Sequence, residues 1–354
     1  MRLRFIPEDQ LRPHTSTLTE ANIHRIRQGE IDEGLVYDAV AAIIGRRPTS
    51  LIARETLAPR FVWRVQFEAG EPLYVKAEHE AGDDAALVLE AWAIERVRER
   101  GVPAPETIAL DTTEAIFPGP VLLQREMPGV PLSPVWRARQ HDEIALDAVH
   151  ARAVWRAAGE LLGRVHEIAV PGYGRLDDAH YAATGEVRGA CTSWAEAVLQ
   201  PALDAIAFME RARSLPANQL DAARRALEAH DDVFASVTDA RLMHGDLAAK
   251  HIFVDPHTHE ITGIIDWGDR EAGDPAHDLA NIALWEDDDR MEWTLEGYAG
   301  GSPGGDSPEL RRRIAAYTIA DGLRVAAKRF RQGRVDAAES TVAWLLPRVL
   351  RGVV

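Results

Sequence analysis

Hydrophobic spacing changes character near residue 130. Upstream, residues 61–67 and 73–77 are β-prone runs rich in valine and aromatics, and Glu68-Ala69-Gly70-Glu71-Pro72 between them predicts a hairpin loop. Leu87, Glu90, Ile94 and Val97 then recur at helical spacing. Asp83 or Asp84 is placed to cap this helix, and Gly101 with Pro103 to end it. A third β-prone run, Val121-Leu122-Leu123, stops at Met127-Pro128-Gly129, so residues 50–127 predict a small α+β lobe. Pro128, Gly129, Pro131 and Pro134 break regular structure in the connector that follows.

Downstream the pattern turns helical. Val154, Ala158, Leu161, Leu162, Val165 and Ile168 form one apolar face, and further helices are predicted over residues 194–212, 218–235, 308–330 and 335–350. Between them, Ile252-Phe253-Val254 and residues 261–265 flank a turn-rich stretch, Asp255-Pro256-His257-Thr258-His259-Glu260, which predicts a second hairpin. Asp274-Pro275 restarts helix as cap and first helical position. The expected division is an N-terminal lobe, 1–127, with extra helices around 18–28 and 32–45, and a larger, mainly helical C-terminal lobe, 128–354. No repeat or low-complexity block interrupts this order.

Composition narrows the class. A chain of 354 residues with 46% hydrophobic and 27% charged residues is long enough for about two globular domains. Forty Lys and Arg against 56 Asp and Glu leave a net charge of −16, which repels polyphosphate backbones and attracts cationic partners. No nucleic-acid partner is expected on that ground. The single cysteine, Cys191, forms no intramolecular disulfide, and a cytoplasmic location is the simplest assignment. The N-terminal residues break into charge and proline before an apolar segment of signal length forms, and no apolar stretch reaches ~18 residues, so neither export nor a membrane partner is expected.

The segment richest in chemistry runs from Leu242 through His244-Gly245-Asp246 to Val254, and Ile265-Asp266-Trp267 follows the hairpin. Phosphoryl transfer needs one carboxylate to orient and deprotonate an acceptor hydroxyl, and other ligands to hold metal that neutralises charge on the phosphate. Asp246 suits the first role and Asp266 the second. In the first lobe, Glu90 sits on the apolar stripe of its helix, where desolvation penalises a lone carboxylate. Lys76, on the preceding strand, is the candidate partner; the alternative is a partly exposed helix acid and an edge-strand lysine.

Those strings, together with Gly273-Asp274-Pro275-Ala276-His277-Asp278-Leu279-Ala280, resemble the aminoglycoside phosphotransferase family, relatives of the protein kinases, over about residues 50–285. The resemblance implies an α+β, two-lobed, protein-kinase-like fold with a small β-rich N-terminal lobe and a mainly helical C-terminal lobe. It also implies transfer of the terminal phosphate of ATP or GTP to a hydroxyl of an aminoglycoside-like or macrolide-like antibiotic, a small and cationic partner. Alternatives are a metabolic alcohol or sugar as acceptor, a non-catalytic nucleotide-binding protein, or a metal-dependent hydrolase using His244, Asp246 and Asp266 as ligands.

By the resemblance Asp246 is the base, Lys76 orients the phosphates, Glu90 positions Lys76, and Asp278 braces the catalytic loop. Main-chain Arg125 C=O and Met127 N–H meet the base of the nucleotide, and Asp266 with His251 holds Mg2+, or Mn2+. Two departures stand out. Residues 57–65, where the phosphate-covering loop is expected, contain no glycine, which leaves Arg60 or a different loop shape to cover the phosphate. His251 occupies the place of the family's usual Asn, as in macrolide phosphotransferases; imidazole suits softer ions better than magnesium. A structural hydrogen bond is its other reading.

Four further groups invite simpler readings. His257-Thr258-His259 reads as a solvated turn, His166 as a packed helix histidine, and Cys191 as an unreactive thiol. The acids Glu286-Asp287-Asp288-Asp289 read as a solvated face, with the holding of a cationic acceptor as the alternative.

Overall fold

The computed structural model describes residues 33–54, 60–78, 86–113, 115–117, 119–133, 146–301, 305–333 and 335–351. They fall into two compact units. One comprises the described part of Met1–Glu99 with Pro103–Pro128 and Asp178–Glu186; the other comprises Arg100–Val102, Gly129–Asp177 and the described part of Val187–Val354.

The first unit opens with helix α1 (Glu33–Ile44), followed by strands β1 (Ser50–Arg54), β2 (Arg60–Gln66) and β3 (Leu73–Glu78), helix α2 (Ala86–Glu99), then β4 (Thr107–Asp111) and β5 (Val121–Arg125). The strands form an antiparallel sheet in the order β1-β2-β3-β5-β4. The predicted hairpin is β2-β3, in a register that pairs Val62 with Lys76 and Trp63 with Val75. Strand alternation sorts β3 by face. Leu73, Val75 and Ala77 join the core formed with Leu35, Val36 and Val40 of α1, while Lys76 shares the opposite face with its cross-strand neighbour Leu122. Leu87, Val88 and Ala91 of α2 cover that second face, packing on Leu110 and Leu122.

Helix α1 matches the expected 32–45 helix, while the 18–28 helix and the caps Asp83 and Asp84 lie outside the described residues. Residues 60–65 of the expected phosphate-covering segment are strand β2; residues 57–59 are likewise outside.

The first elements of the second unit are β6 (Val130–Pro131), helix α3 (Ala148–Val165) and β7 (Tyr173–Leu176). Helix α4 (Asp178–Thr184) belongs to the first unit, where Tyr181 packs on the α2 side. Then come β8 (Gly189–Cys191), a π turn (Ala195–Leu199) leading into α5 (Gln200–Arg211), α6 (Ala217–Glu228), α7 (Asp231–Ala235) and β9 (Arg241–Met243). The predicted second hairpin is β10 (Ile252–Val254) with β11 (Ile261–Ile264). It is followed by β12 (Glu271–Gly273), α8 (Ala276–Trp285), α9 (Asp288–Gly301), α10 (Pro308–Arg331) and α11 (Val335–Arg351). Two small antiparallel sheets, β11-β10-β6 and β8-β7-β12-β9, carry the loops between these helices. Among the described residues no helix is long and apolar enough to cross a membrane.

The expected solvated face at 286–289 is corrected in part. Asp287, Asp288 and Asp289 are exposed, and Asp287 Oδ1 accepts the Arg290 amide at 2.9 Å, as a cap for the start of α9. Glu286, however, is buried. Its partners include the loop after β9 described below.

Beneath β12 lies a buried charge cluster. His277 Nε2 is 2.8 Å from Asp321 Oδ2 and Nδ1 is 3.3 Å from Glu271 Oε2, with Arg324 paired to Asp321. These His277 contacts are angled, so they act through charge rather than as linear hydrogen bonds. Trp194 and Tyr317 wall the imidazole edge-on, and Gly273 is glycine because a Cβ there would come 2.1 Å from the Trp194 ring. Burial opposes charge on His277, yet Asp321 and Glu271 outweigh it and push its pKa up from 6.5 to about 10. A raised histidine pKa stabilises the fold fully below the unfolded value, and that contribution is lost as pH rises through the folded one. The melting temperature is therefore expected to fall from near pH 6.5 toward pH 10. The His277→Gln variant should melt lower at pH 6.5 and show a flatter profile; an equally steep profile would remove His277 as its cause.

Candidate active site

In the first unit, alternation along β3 and helical spacing along α2 bring Lys76 Nζ to 2.5 Å from Glu90 Oε1. Glu90 is fully buried and Lys76 largely so, as the position of Glu90 on the apolar stripe requires of an acid with a cationic partner. The alternative of an exposed acid and an edge lysine is thereby removed. Arg125 ends β5, its guanidinium paired with Glu106 at 2.7 Å and with Glu71, and Met127 follows just beyond the strand.

The second unit builds a cluster of its own around the loop after β9. Gly245 has φ +83, and a Cβ there would sit 2.0 Å from the Asp269 carbonyl oxygen, so the turn admits only glycine. Asp278, fully buried in the first turn of α8, receives three N–H groups: the amides of His244 and Gly245, both at 2.8 Å, and His166 Nε2 at 3.1 Å. Burial raises its pKa, but the His166 hydrogen bond and the charges around it hold the carboxyl below its usual range. Tyr298 on α9 lies 3.0 Å from His166 Nδ1, and Asn281 donates to the Gly245 carbonyl at 3.0 Å. The brace expected of Asp278 and the packed histidine expected of His166 are thus one network.

His244 uses both ring nitrogens. Nε2–H donates to the Ile265 carbonyl at 2.9 Å, and Nδ1 accepts the Asp246 amide at 3.3 Å. Burial, followed by the neighbouring His251, depresses its pKa and keeps it neutral. A hydrolase-type role for His244 as a metal ligand has no lone pair to use.

Asp246 projects from this pinned backbone. Burial lifts its pKa, while His251, Lys250 and His244 act to lower it, and the net direction is upward, as suits a general base. His251 donates Nδ1–H to the Asp246 carbonyl at 2.7 Å, which turns Nε2 toward Asp266 Oδ2, 3.3 Å away. Since a carbonyl only accepts, Nδ1 carries a hydrogen, and the neutral form of the ring would offer its Nε2 lone pair to a ligand. Asp266 itself adopts a left-handed backbone, φ 66 and ψ 58, a conformation stored at few non-glycine positions.

One imidazole nitrogen and one carboxylate facing each other fit a divalent ion that takes its other ligands from phosphate oxygens and water. Among the described residues no three His, Cys, Asp or Glu side chains converge on one metal position. His257 is exposed, and its amide donates to Asp255 Oδ1 at 2.7 Å, as in a solvated turn. Cys191 is half-buried, and burial together with Glu196 and Glu271 pushes its thiol up, away from reactivity.

Two residues here escaped sequence reasoning. Glu286 Oε1 accepts the Ala249 amide at 3.1 Å while Oε2 pairs with Arg290 at 2.8 Å, a brace that no local pattern announces. Lys250 Nζ lies 3.3 Å from Asp246 Oδ2; its four-residue spacing from Asp246 was the available signal.

Comparison with known proteins adds independent findings. The profile of the phosphotransferase enzyme family (APH) matches residues 56–317. Streptomycin 3''-kinase of Streptomyces griseus is 30% identical over 228 residues, spanning 62% of this chain and 74% of the relative. Among solved structures, a thermostable mutant of aminoglycoside phosphotransferase APH(4)-Ia in ternary complex with AMP-PNP and hygromycin B superposes with a TM-score of 0.62 at 18% identity, covering 90% of this chain and 97% of that one. Macrolide 2'-phosphotransferase MphH from Brachybacterium faecium gives 0.59 at 19% identity, covering 90% and 99%.

Proposed function

Since the chain belongs to the phosphotransferase enzyme family, we propose that it moves the terminal phosphate of ATP or GTP onto a hydroxyl of a cationic small molecule, an aminoglycoside-type antibiotic. The observation that carries this reading is Asp246, a largely buried carboxylate of raised pKa on a loop braced by Asp278 and Glu286. In the proposed reaction Asp246 takes the acceptor's proton as the acceptor oxygen bonds to phosphorus and the bond to the leaving diphosphate breaks. Lys76, fixed by Glu90, grips the nucleotide phosphates; Arg125 C=O and Met127 N–H meet its base. A divalent ion held by Asp266 and His251 supplies charge neutralisation when bound.

Relatives named as aminoglycoside kinases and a net charge of −16 both favour a polycationic acceptor. His251 favours a second reading, a macrolide-type acceptor. A cytoplasmic location belongs to the same proposal, since the reaction consumes nucleotide. The test is ADP or GDP release with Mg2+ or Mn2+ across aminoglycosides, macrolides and amino-alcohols. Acceptor-dependent release with a KM that rises with salt supports the polycation; a salt-independent KM points to the less charged acceptors. Nucleotide binding without release for any acceptor would leave a non-catalytic protein.

The His251→Asn variant tests the metal shell. Replacing a nitrogen ligand by an amide oxygen is expected to raise the Mg2+ to Mn2+ activity ratio several-fold, measured as ADP release at matched free metal. An unchanged ratio would take His251 out of the metal shell.

A further inference from the structure

Lys250 has no part in the roles assigned so far. Its ammonium rests on Asp246 Oδ2 at 3.3 Å, with side chains only 14% and 18% exposed, and the carboxylates of Asp266 and Asp269 also act on its charge. The stem is anchored by the 3-10 turn Ala249–His251: Glu286 holds the Ala249 amide, the Ala248 carbonyl accepts the His251 amide at 2.8 Å, and the His251 ring is tied to the Asp246 backbone. A fixed backbone under a long side chain leaves one freedom, the swing of the ammonium.

An ammonium used only as counter-ion would oppose the base. It lowers the basicity of Asp246 and occupies an oxygen that must receive the acceptor's proton. The reaction itself brings a better partner. A base works at about 2.6–3.2 Å from the acceptor oxygen, and that oxygen approaches phosphorus to about 3–3.5 Å before bonding. A cation already touching the base is then a side-chain rotation away from the equatorial phosphoryl oxygens, where negative charge is spread in the transition state.

We propose that Lys250 is a further catalytic residue, which leaves the Asp246 carboxylate when nucleotide and acceptor bind and donates to the phosphoryl group in transfer. This rests on the kinase reading above. The acceptor O–P bond forms as the bond from phosphorus to the diphosphate oxygen breaks. That oxygen keeps the electron pair, the acceptor's proton passes to Asp246, and Lys250 retains its own protons.

The experiment compares wild type, Lys250→Met and Lys250→Arg in two ways: steady-state ADP release, and calorimetric affinity for ADP with and without aluminium fluoride, a mimic of the phosphoryl group in transfer. Lys250→Met is expected to lose about 10² to 10³ in kcat with acceptor KM little changed. It should keep its affinity for ADP but lose the tightening that fluoride gives wild type, and Lys250→Arg should regain part of both. The fluoride ratio is taken within each variant, so it decides even if Lys250→Met is less stable. A kcat within about threefold of wild type, or undiminished tightening, overturns the role of Lys250 alone. Wild type that releases no ADP with any acceptor and gains nothing from fluoride overturns the kinase reading, and this proposal with it.

Discussion

The Asp246→Asn variant is expected to lose about 10² to 10⁴ in kcat while keeping the wild-type melting temperature, because the amide matches the carboxylate in shape but cannot accept a proton at neutral pH. The local fold does not depend on the ionised side chain. What holds this segment is backbone: the Asp246 carbonyl accepts from His251 Nδ1, and the Asp246 amide donates to His244 Nδ1. Both survive the change. Lys250 keeps an acceptor, since the amide oxygen can stand in for Asp246 Oδ2, and the carboxylates of Asp266 and Asp269 still act on its charge. The loss should therefore appear in turnover and not in nucleotide affinity, measured by ADP release and calorimetry on the same preparation. Near-normal kcat would show that another group takes the proton, and Asp246 would no longer be the base.

Removing Asp278 should cost the most stability of any single change in this site. Its carboxylate is fully buried and receives two backbone amides and the His166 ring, and each would be left without that acceptor in Asp278→Ala. Breaking one side of a buried charged network costs about 3–5 kcal/mol, more than a surface acid contributes. Urea unfolding is the measurement, with Asp278→Asn beside it. The amide oxygen can still accept from part of the set, so Asn should recover some of the loss. Activity should fall with Ala even well below its melting temperature, since the His244 and Gly245 amides set where Asp246 points. A change under about 1 kcal/mol would mean that the loop holds its shape without Asp278.

Much of the architecture was legible because it is written in near neighbours. The hairpin of β2 and β3, the apolar stripe of α2 and the hairpin of β10 and β11 follow from alternation, 3.6-residue spacing and turn residues. Glu90 on an apolar stripe is a local anomaly with a local remedy, so its pairing with Lys76, 14 residues away, could be argued before any fold was known. Short strands such as β4, Thr-Ile-Ala-Leu-Asp, were missed. They carry no strict alternation and owe their extended form to the strand beside them.

The site divides along the same line. The sequence by itself determined which residues could do chemistry and on which elements they stand: Asp246, Asp266 and His251 around one hairpin, Lys76 and Glu90 on a strand and the helix after it. Only the tertiary structure decided what holds and charges them. The braces reach the loop from 34 residues away at Asp278 and 37 at Glu286, and the acid run that looked solvated divides into a buried carboxylate and an exposed cap. The physical reason is that periodicity reports the side of an element a residue occupies, whereas burial and hydrogen-bond partners depend on what packs against that side. Partner and pKa direction therefore exist only once the chain has closed on itself.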